Sequence, residues 1–134
     1  MISYKHSIKP YYRDVDKMGI VYYSRYLEYF EEARTELLNN IGLNITKVED
    51  RGIELPVISC YCEYKESARF NQNLIIDTFI EVVPKAKLKI EYKVFSDESS
   101  KLLVSGYTVH AFIKSTGRPT KIPDFILKRI RDYF

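Results

Sequence analysis

A chain of 134 residues is long enough for one ordinary hydrophobic core and short of two. With 46% apolar and 29% charged residues it has a soluble globular balance, and a net charge of +3 does not demand nucleic acid, although it suits a phosphate-bearing ligand. No apolar run reaches the roughly 18–20 residues of a membrane span, the opening MISYKHSIKP lacks the apolar stretch of a signal peptide, and Cys60 and Cys62 are too few for a disulfide framework, so a reducing, cytoplasmic setting is expected.

Residues 2–9 read as a first strand, ended by Pro10, which cannot donate to a ladder. Residues 11–25 are irregular, with Gly19 as punctuation. A helix follows. Tyr26, Leu27, Phe30, Ala33, Leu37, Leu38 and Ile41 recur at helical spacing and predict a buried stripe, while Glu28, Glu32, Thr35 and Asn39 fall on the wet side. Ser24 is the expected N-cap and Gly42 the expected stop. Residues 44–54 are polar, with room for a helical turn at Thr46–Arg51. The period then changes to two. Val57–Tyr64, Leu74–Val83, Leu88–Val94 and Leu102–Ile113 predict strands, separated by Pro84, the turn SDESSK and, after the last, STGRP. Pro123–Phe134 has the apolar spacing of a short helix.

One strand, one long helix and four further strands joined by hairpin-like turns predict an α+β domain over residues 1–134, an antiparallel sheet on one helix. One helix covers one face only, and the strands are apolar on more than one. A two-fold dimer at least is therefore expected, with a tetramer as the larger form. The 12 tyrosines suit interfaces and half-wet pockets, or reflect AT-rich coding.

Asp14 and Asp16 stand one residue apart ahead of the helix. D-x-D-x-x-G begins like a calcium loop, but Met18 occupies a ligand position and Arg25 stands where a bidentate glutamate is needed. Zinc would need histidines or cysteines nearby, and His6 and His110 read as structural or surface residues in strands. No metal and no cofactor are expected. The plain role of both aspartates is turn formation and helix capping.

The pattern Y-x-D-x-D-x-x-G-x-V-Y-Y-x-x-Y-x-x-Y-F-E-x-A-R-x-E at Tyr12–Glu36 resembles the signature of hotdog-fold acyl-CoA thioesterases, in the 4-hydroxybenzoyl-CoA thioesterase family and its Tol-Pal-associated branch. YKESARFNQNL at Tyr64–Leu74 resembles the family's Y-x-x-P-A-R-F-x-D-x-L, and STGRPTKIP at Ser115–Pro123 its closing turn. The resemblance implies a hotdog fold, an antiparallel five-stranded sheet wrapped around one long central helix. It also implies hydrolysis of acyl-CoA thioesters, with Asp16 as the catalytic carboxylate and the carbonyl-polarising amide at Tyr23. A carboxylate can serve as nucleophile or general base. Amides at a helix start can hold an oxyanion. Gly19, Ile20, Val21 and Tyr22 would line the substrate, Gly19 by letting the backbone come close.

Coenzyme A phosphates need cations, and Lys85, Lys87, Lys89 and Arg118 are the candidates, each otherwise part of a solvated basic face. Tyr23 stands where many Tol-Pal-type members carry histidine and where the 4-hydroxybenzoyl-CoA type carries tyrosine. S-A-R-F-N-Q replaces P-A-R-F-x-D. Two other functions share the framework: hydrolysis of acyl groups from acyl carrier protein, and a non-catalytic acyl-binding or assembly module. The hydratase branch of the fold resembles D-x-x-x-x-H, and Val21 occupies its histidine position.

Overall fold

The computed structural model describes residues 1–134. In chain order they form β1 (Ile2–Ile8), a 3-10 turn (Tyr12–Asp14), α1 (Arg25–Asn40), α2 (Ile45–Asp50), β2 (Ile53–Glu54), β3 (Val57–Tyr64), β4 (Leu74–Ile80), β5 (Lys87–Ser96), β6 (Leu102–Lys114), β7 (Pro119–Thr120) and α3 (Asp124–Arg131). Five long strands pair antiparallel in the order β3-β6-β5-β4-β1, and the two-residue β2 and β7 add to β6.

Alternation decides the faces. Ile76, Ile90, Tyr92, Val94, Val104 and Phe112 turn to one side and are buried, together with Thr78, Thr108 and His110. α1 lies across that side. Its Tyr26, Phe30, Ala33, Leu37 and Leu38 are buried, and Ile41 continues the stripe past the last turn. Phe30 stacks on Tyr92 with ring centroids 4.2 Å apart and 5° between planes. Gly106 makes this approach possible. A Cβ there would collide with the Tyr61 carbonyl oxygen and stand 3.0 Å from the Phe30 ring. Truncating a buried phenylalanine in such a place costs about 3–5 kcal/mol.

The structure corrects several details. Leu27 is 40% exposed, because it projects roughly 90° around the helix from the line through Phe30, Ala33 and Leu37. Ser24 occupies the N-cap position but is already helical, at φ −72° and ψ −18°, and its side chain caps nothing. β4 stops at Ile80 rather than Val83, since its partner β1 begins at Ile2, opposite Ile80. The segment between β3 and β4 is no hairpin. It carries the chain from the β3 edge of the sheet to the β4–β1 edge. Strand β3 pairs with β6 alone and is exposed along nearly its whole length.

Candidate active site

The irregular stretch ahead of α1 is a small, heavily bonded loop. Val15 and Val21 bridge to each other. Between them the Gly19 amide donates to the Asp16 carbonyl at 3.0 Å and the Asp16 amide to the Ile20 carbonyl at 2.9 Å. Gly19 sits at φ +74°, a conformation that L side chains adopt only at a cost, and no heavy atom crowds its missing Cβ. Its role in the protomer is to turn the chain.

Asp16 takes part in this turn through one oxygen. Oδ1 accepts from the Met18 amide at 2.8 Å and the Ile20 amide at 3.2 Å. Oδ2 has no partner, and the residue is exposed. Asp14 is the buried carboxylate, at 5% exposure. Its Oδ2 accepts the Tyr11 amide at 2.9 Å, its carbonyl accepts the Tyr22 amide at 2.9 Å, and its Oδ1 lies 3.7 Å from Arg25 Nε. Arg25 also forks onto both Glu28 oxygens, at 2.9 and 3.1 Å, and donates to the Arg13 carbonyl. Asp14 and Arg25 thus lock the loop to the first turn of α1. The Tyr29 phenol is buried beside Asp14 and its oxygen makes no hydrogen bond. Burial first, and the Asp14 charge second, push its pKa well up.

At the start of α1 the backbone is open. The Tyr22 carbonyl accepts from Arg25, and the Tyr23 carbonyl accepts from the Tyr64 hydroxyl at 3.2 Å. The Tyr23 and Ser24 amides donate to nothing in the chain. They stand at the positive end of a 16-residue helix, where donors and dipole together favour negative charge. The rings of Tyr22 and Tyr23 lie 4.7 Å apart, and both are more than half exposed. They flank an open surface in the protomer. The Tyr22 hydroxyl is raised in pKa chiefly by its neighbour Tyr23.

Sequence reasoning missed the residues that hold this loop. The Val21 amide donates to the Ala68 carbonyl and the Phe70 amide to the Gly19 carbonyl, both at 2.9 Å, and Ile20 bridges to Arg69. The Tyr26 hydroxyl, buried at the helix start, accepts the Ala68 amide at 3.1 Å. The S-A-R-F stretch is therefore a backbone strap for Gly19–Val21. Gln72, at the position of the family's acid, accepts the Arg69 amide through Oε1 at 2.9 Å, so an amide oxygen takes the acceptor place a carboxylate could fill, without its charge. Tyr64, which fixes the Tyr23 peptide, has its pKa pushed up to about 12 by burial first and by Cys62 after it. The repeated Y-x-x-Y spacing was the available signal for Tyr26, and the Tyr64–Leu74 resemblance included Tyr64 and S-A-R-F without showing that they bond to the Gly19–Tyr23 backbone.

The predicted cations stand elsewhere. Lys87 opens β5 and pairs with Ala111, whereas Ser96 at the other end of β5 pairs with Leu74, next to the strap. Ten strand residues separate the two ends by about 30 Å. Lys85 and Arg118 are exposed at the Lys87 end, Arg118 at the tip of the β6–β7 turn. One protomer brings Asp16 and Gly19 to Tyr23 together and does not bring Lys85, Lys87 or Arg118 to them.

His6 Nε2 lies 2.7 Å from Glu32. His110 is buried in a chain of hydrogen bonds whose direction is fixed by its end. Nδ1–H donates to the Leu55 carbonyl, so Nε2 accepts from Thr108, whose oxygen in turn accepts from Tyr92 at 2.6 Å. Cys60 and Cys62 are free thiols, and burial raises the pKa of Cys62. No group of three or more His, Cys, Asp or Glu is placed to hold a metal, and no helix is long and apolar enough to cross a membrane.

An antiparallel sheet packed around one long helix is the hotdog arrangement. The chain belongs to the thioesterase-like superfamily, whose sequence profile matches residues 12–130. A protein of Aquifex aeolicus is 30% identical over 129 residues, spanning 96% of this chain and 97% of that one. The acyl-CoA thioesterase YbgC of Haemophilus influenzae is 28% identical over 87% of this chain and 84% of its own. Among solved structures, the DHNA-CoA thioesterase of Staphylococcus aureus superposes with a TM-score of 0.90 at 26% identity, over 99% of this chain and 89% of that one.

Proposed function

We propose that this chain hydrolyses acyl-CoA thioesters at the loop between Asp16 and Ser24. The observation that carries this reading is the pairing, in one loop, of a carboxylate oxygen left free on Asp16 with the unpartnered Tyr23 and Ser24 amides at the positive end of α1. A thioester carbonyl oxygen accepts from these amides, and the charge it gains in the tetrahedral intermediate is held by donors already in position. Asp16 either takes a proton from the attacking water or attacks the carbonyl itself. On the first route the water oxygen bonds to the acyl carbon, the C–S bond breaks, and the proton leaves with the CoA sulfur. On the second an acyl–aspartyl anhydride forms as CoA leaves, and water then cleaves it. Single turnover in heavy-oxygen water separates the two, because only the anhydride route can leave label in Asp16.

The Asp16→Asn variant tests the assignment cleanly. An asparagine Oδ1 accepts the same two amides, so the turn survives while the free carboxylate oxygen is replaced by an uncharged NH2 group that can neither attack nor take a proton. Thiol release from short, long and aromatic acyl-CoAs is expected to fall about 100- to 10,000-fold, with the midpoint of thermal unfolding nearly unchanged. Equal rates in both proteins remove Asp16 from the chemistry. Activity confined to acyl carrier protein thioesters moves the substrate to that carrier.

The working unit in this reading is a dimer. Val57, Ile58, Tyr61 and Tyr64 are each more than two-fifths exposed on the edge strand β3, an apolar edge that a second copy would cover. A second copy is also the remaining route by which Lys85, Lys87 or Arg118 could approach Asp16. A monomeric mass by light scattering at micromolar concentration refutes the dimer.

A further inference from the structure

At the far end of α1, beyond its C-terminus, lies a cleft that the thioester chemistry does not use. Its volume is about 440 Å³, and Lys47, Arg51, Phe125, Lys128, Arg129 and Asp132 line it. It is separated from the open amides by the whole 16-residue length of α1, about 24 Å.

Its charge is lopsided. Four cations, contributed by α2, the turn after it and α3, face one carboxylate, Asp132. None of the four is in an ion pair. The negative end of α1 offsets about half a charge more, which still leaves a clear positive excess. Like charges gathered around one concavity raise each other's energy, and an anion entering it relieves them all at once.

Arg51 and Arg129 are exposed residues, but each guanidinium rests against a protein surface. Arg51 Cζ sits 3.9 Å over the centre of the Phe125 ring. The Arg129 guanidinium packs into the space left by Gly42, with Cζ and Nε 3.4 Å from where a Cβ would stand. Such contacts restrain the guanidiniums in part before a ligand arrives, which favours forked contacts to phosphate oxygens. Arg51 and Phe125 both line the cleft, and a guanidinium or an aromatic ring is a surface on which a nucleobase can stack. The volume is that of a small-molecule site rather than of a bare ion.

We infer that this cleft binds a phosphate-bearing nucleotide, separately from the thioester site of the same protomer. The chemistry is a phosphate ester held by Arg51, Arg129, Lys47 and Lys128, with a base on the Arg51–Phe125 stack. Two sources share it: a free nucleotide such as ADP, and the nucleotide end of coenzyme A.

Calorimetric titration of the full chain with ADP, coenzyme A, inorganic phosphate and adenosine tests the site. ADP is expected to bind at least tenfold more tightly than adenosine, and more weakly as salt rises. Arg129→Gln and Arg51→Gln are each expected to weaken ADP at least fivefold while acyl-CoA hydrolysis at saturating substrate stays unchanged. Lys47→Gln with Lys128→Gln, at exposed positions, repeats the test should either arginine variant fold poorly. Coenzyme A sensitive to these variants while ADP does not bind assigns the site to the coenzyme's nucleotide end. The inference is overturned if ADP and adenosine bind alike and coenzyme A ignores the variants, or if every affinity survives all four substitutions.

Discussion

Replacing Gly106 by alanine probes the point where helix and sheet come closest. The new methyl meets the Tyr61 carbonyl, a backbone atom of β3 that no rotamer change can move, and the Phe30 ring at 3.0 Å. Accommodating it requires β3 to lift from β6. Overpacking of this kind costs about 1–3 kcal/mol, and an obstacle in the backbone puts it at the upper end. One or two ladder bonds lost near Tyr61 add about 1 kcal/mol each. The smaller chain entropy of alanine returns about 0.5–1 kcal/mol. The net destabilisation is about 3–4 kcal/mol. For 134 residues the entropy of unfolding is about 0.28 kcal/mol per kelvin, so thermal unfolding should occur at least about 10 °C lower. The assay is calorimetry or circular dichroism on Gly106→Ala, Phe30→Leu and the double variant. Because the harder contact is with backbone, Phe30→Leu should rescue little. A midpoint within about 2 °C of the wild type, or full rescue by Phe30→Leu, refutes the reasoning.

Two further expectations concern polar groups. Asp14→Asn weakens the clamp on Arg25, and since Arg25 is itself one-third exposed the cost should be modest, about 1–2 kcal/mol. Its larger effect should be on turnover, about tenfold, because the Tyr22 peptide hangs from the Asp14 carbonyl; unchanged kcat would limit Asp14 to stability. His110 has its pKa lowered by burial first, with the Arg34 charge adding to this and the Leu55 carbonyl opposing it. The unfolded chain therefore binds the proton more readily, and the stability His110 contributes is complete above its unfolded pKa of about 6.5 and is lost as pH falls through that value towards the folded one. Urea unfolding between pH 7 and 5 should show a flatter decline in His110→Gln than in the wild type, and equal slopes would remove His110 from the acid response.

The helix was legible because its signal is local. Phe30, Ala33 and Leu37 repeat at its period, and Gly42 stands just past its end. The strands were legible one by one for the same reason, as in the wet and dry alternation of Lys87–Val94. Their pairing was not. An edge strand and a central strand alternate alike, so β3 and β4 looked like neighbours although they lie on opposite sides of the sheet. The candidate site divided in the same way. Asp16, Gly19 and Tyr23 sit in one motif and one loop. Two acids one residue apart carry no sign of which will be buried, since that depends on Arg25 and Tyr29 arriving from the helix. Nor does a run of lysines reveal that ten strand residues will separate it from the carboxylate.

The pairing of β1 with β4 has a consequence for how this chain comes into being. β1 is made long before β4, the strand it must pair with, which lies in the second half of the domain. Throughout synthesis of α1, α2 and β3 there is no β5 for Phe30 to rest on and no β6 for β3 to join. Nothing in the first half of the domain can close a core of its own, so its folding must wait until β5 and β6 have emerged and then proceed through distant contacts, which is slow. The nascent chain meanwhile offers apolar strands to whatever is near, and a fragment ending before Leu74 should remain unfolded however strongly its helix is written.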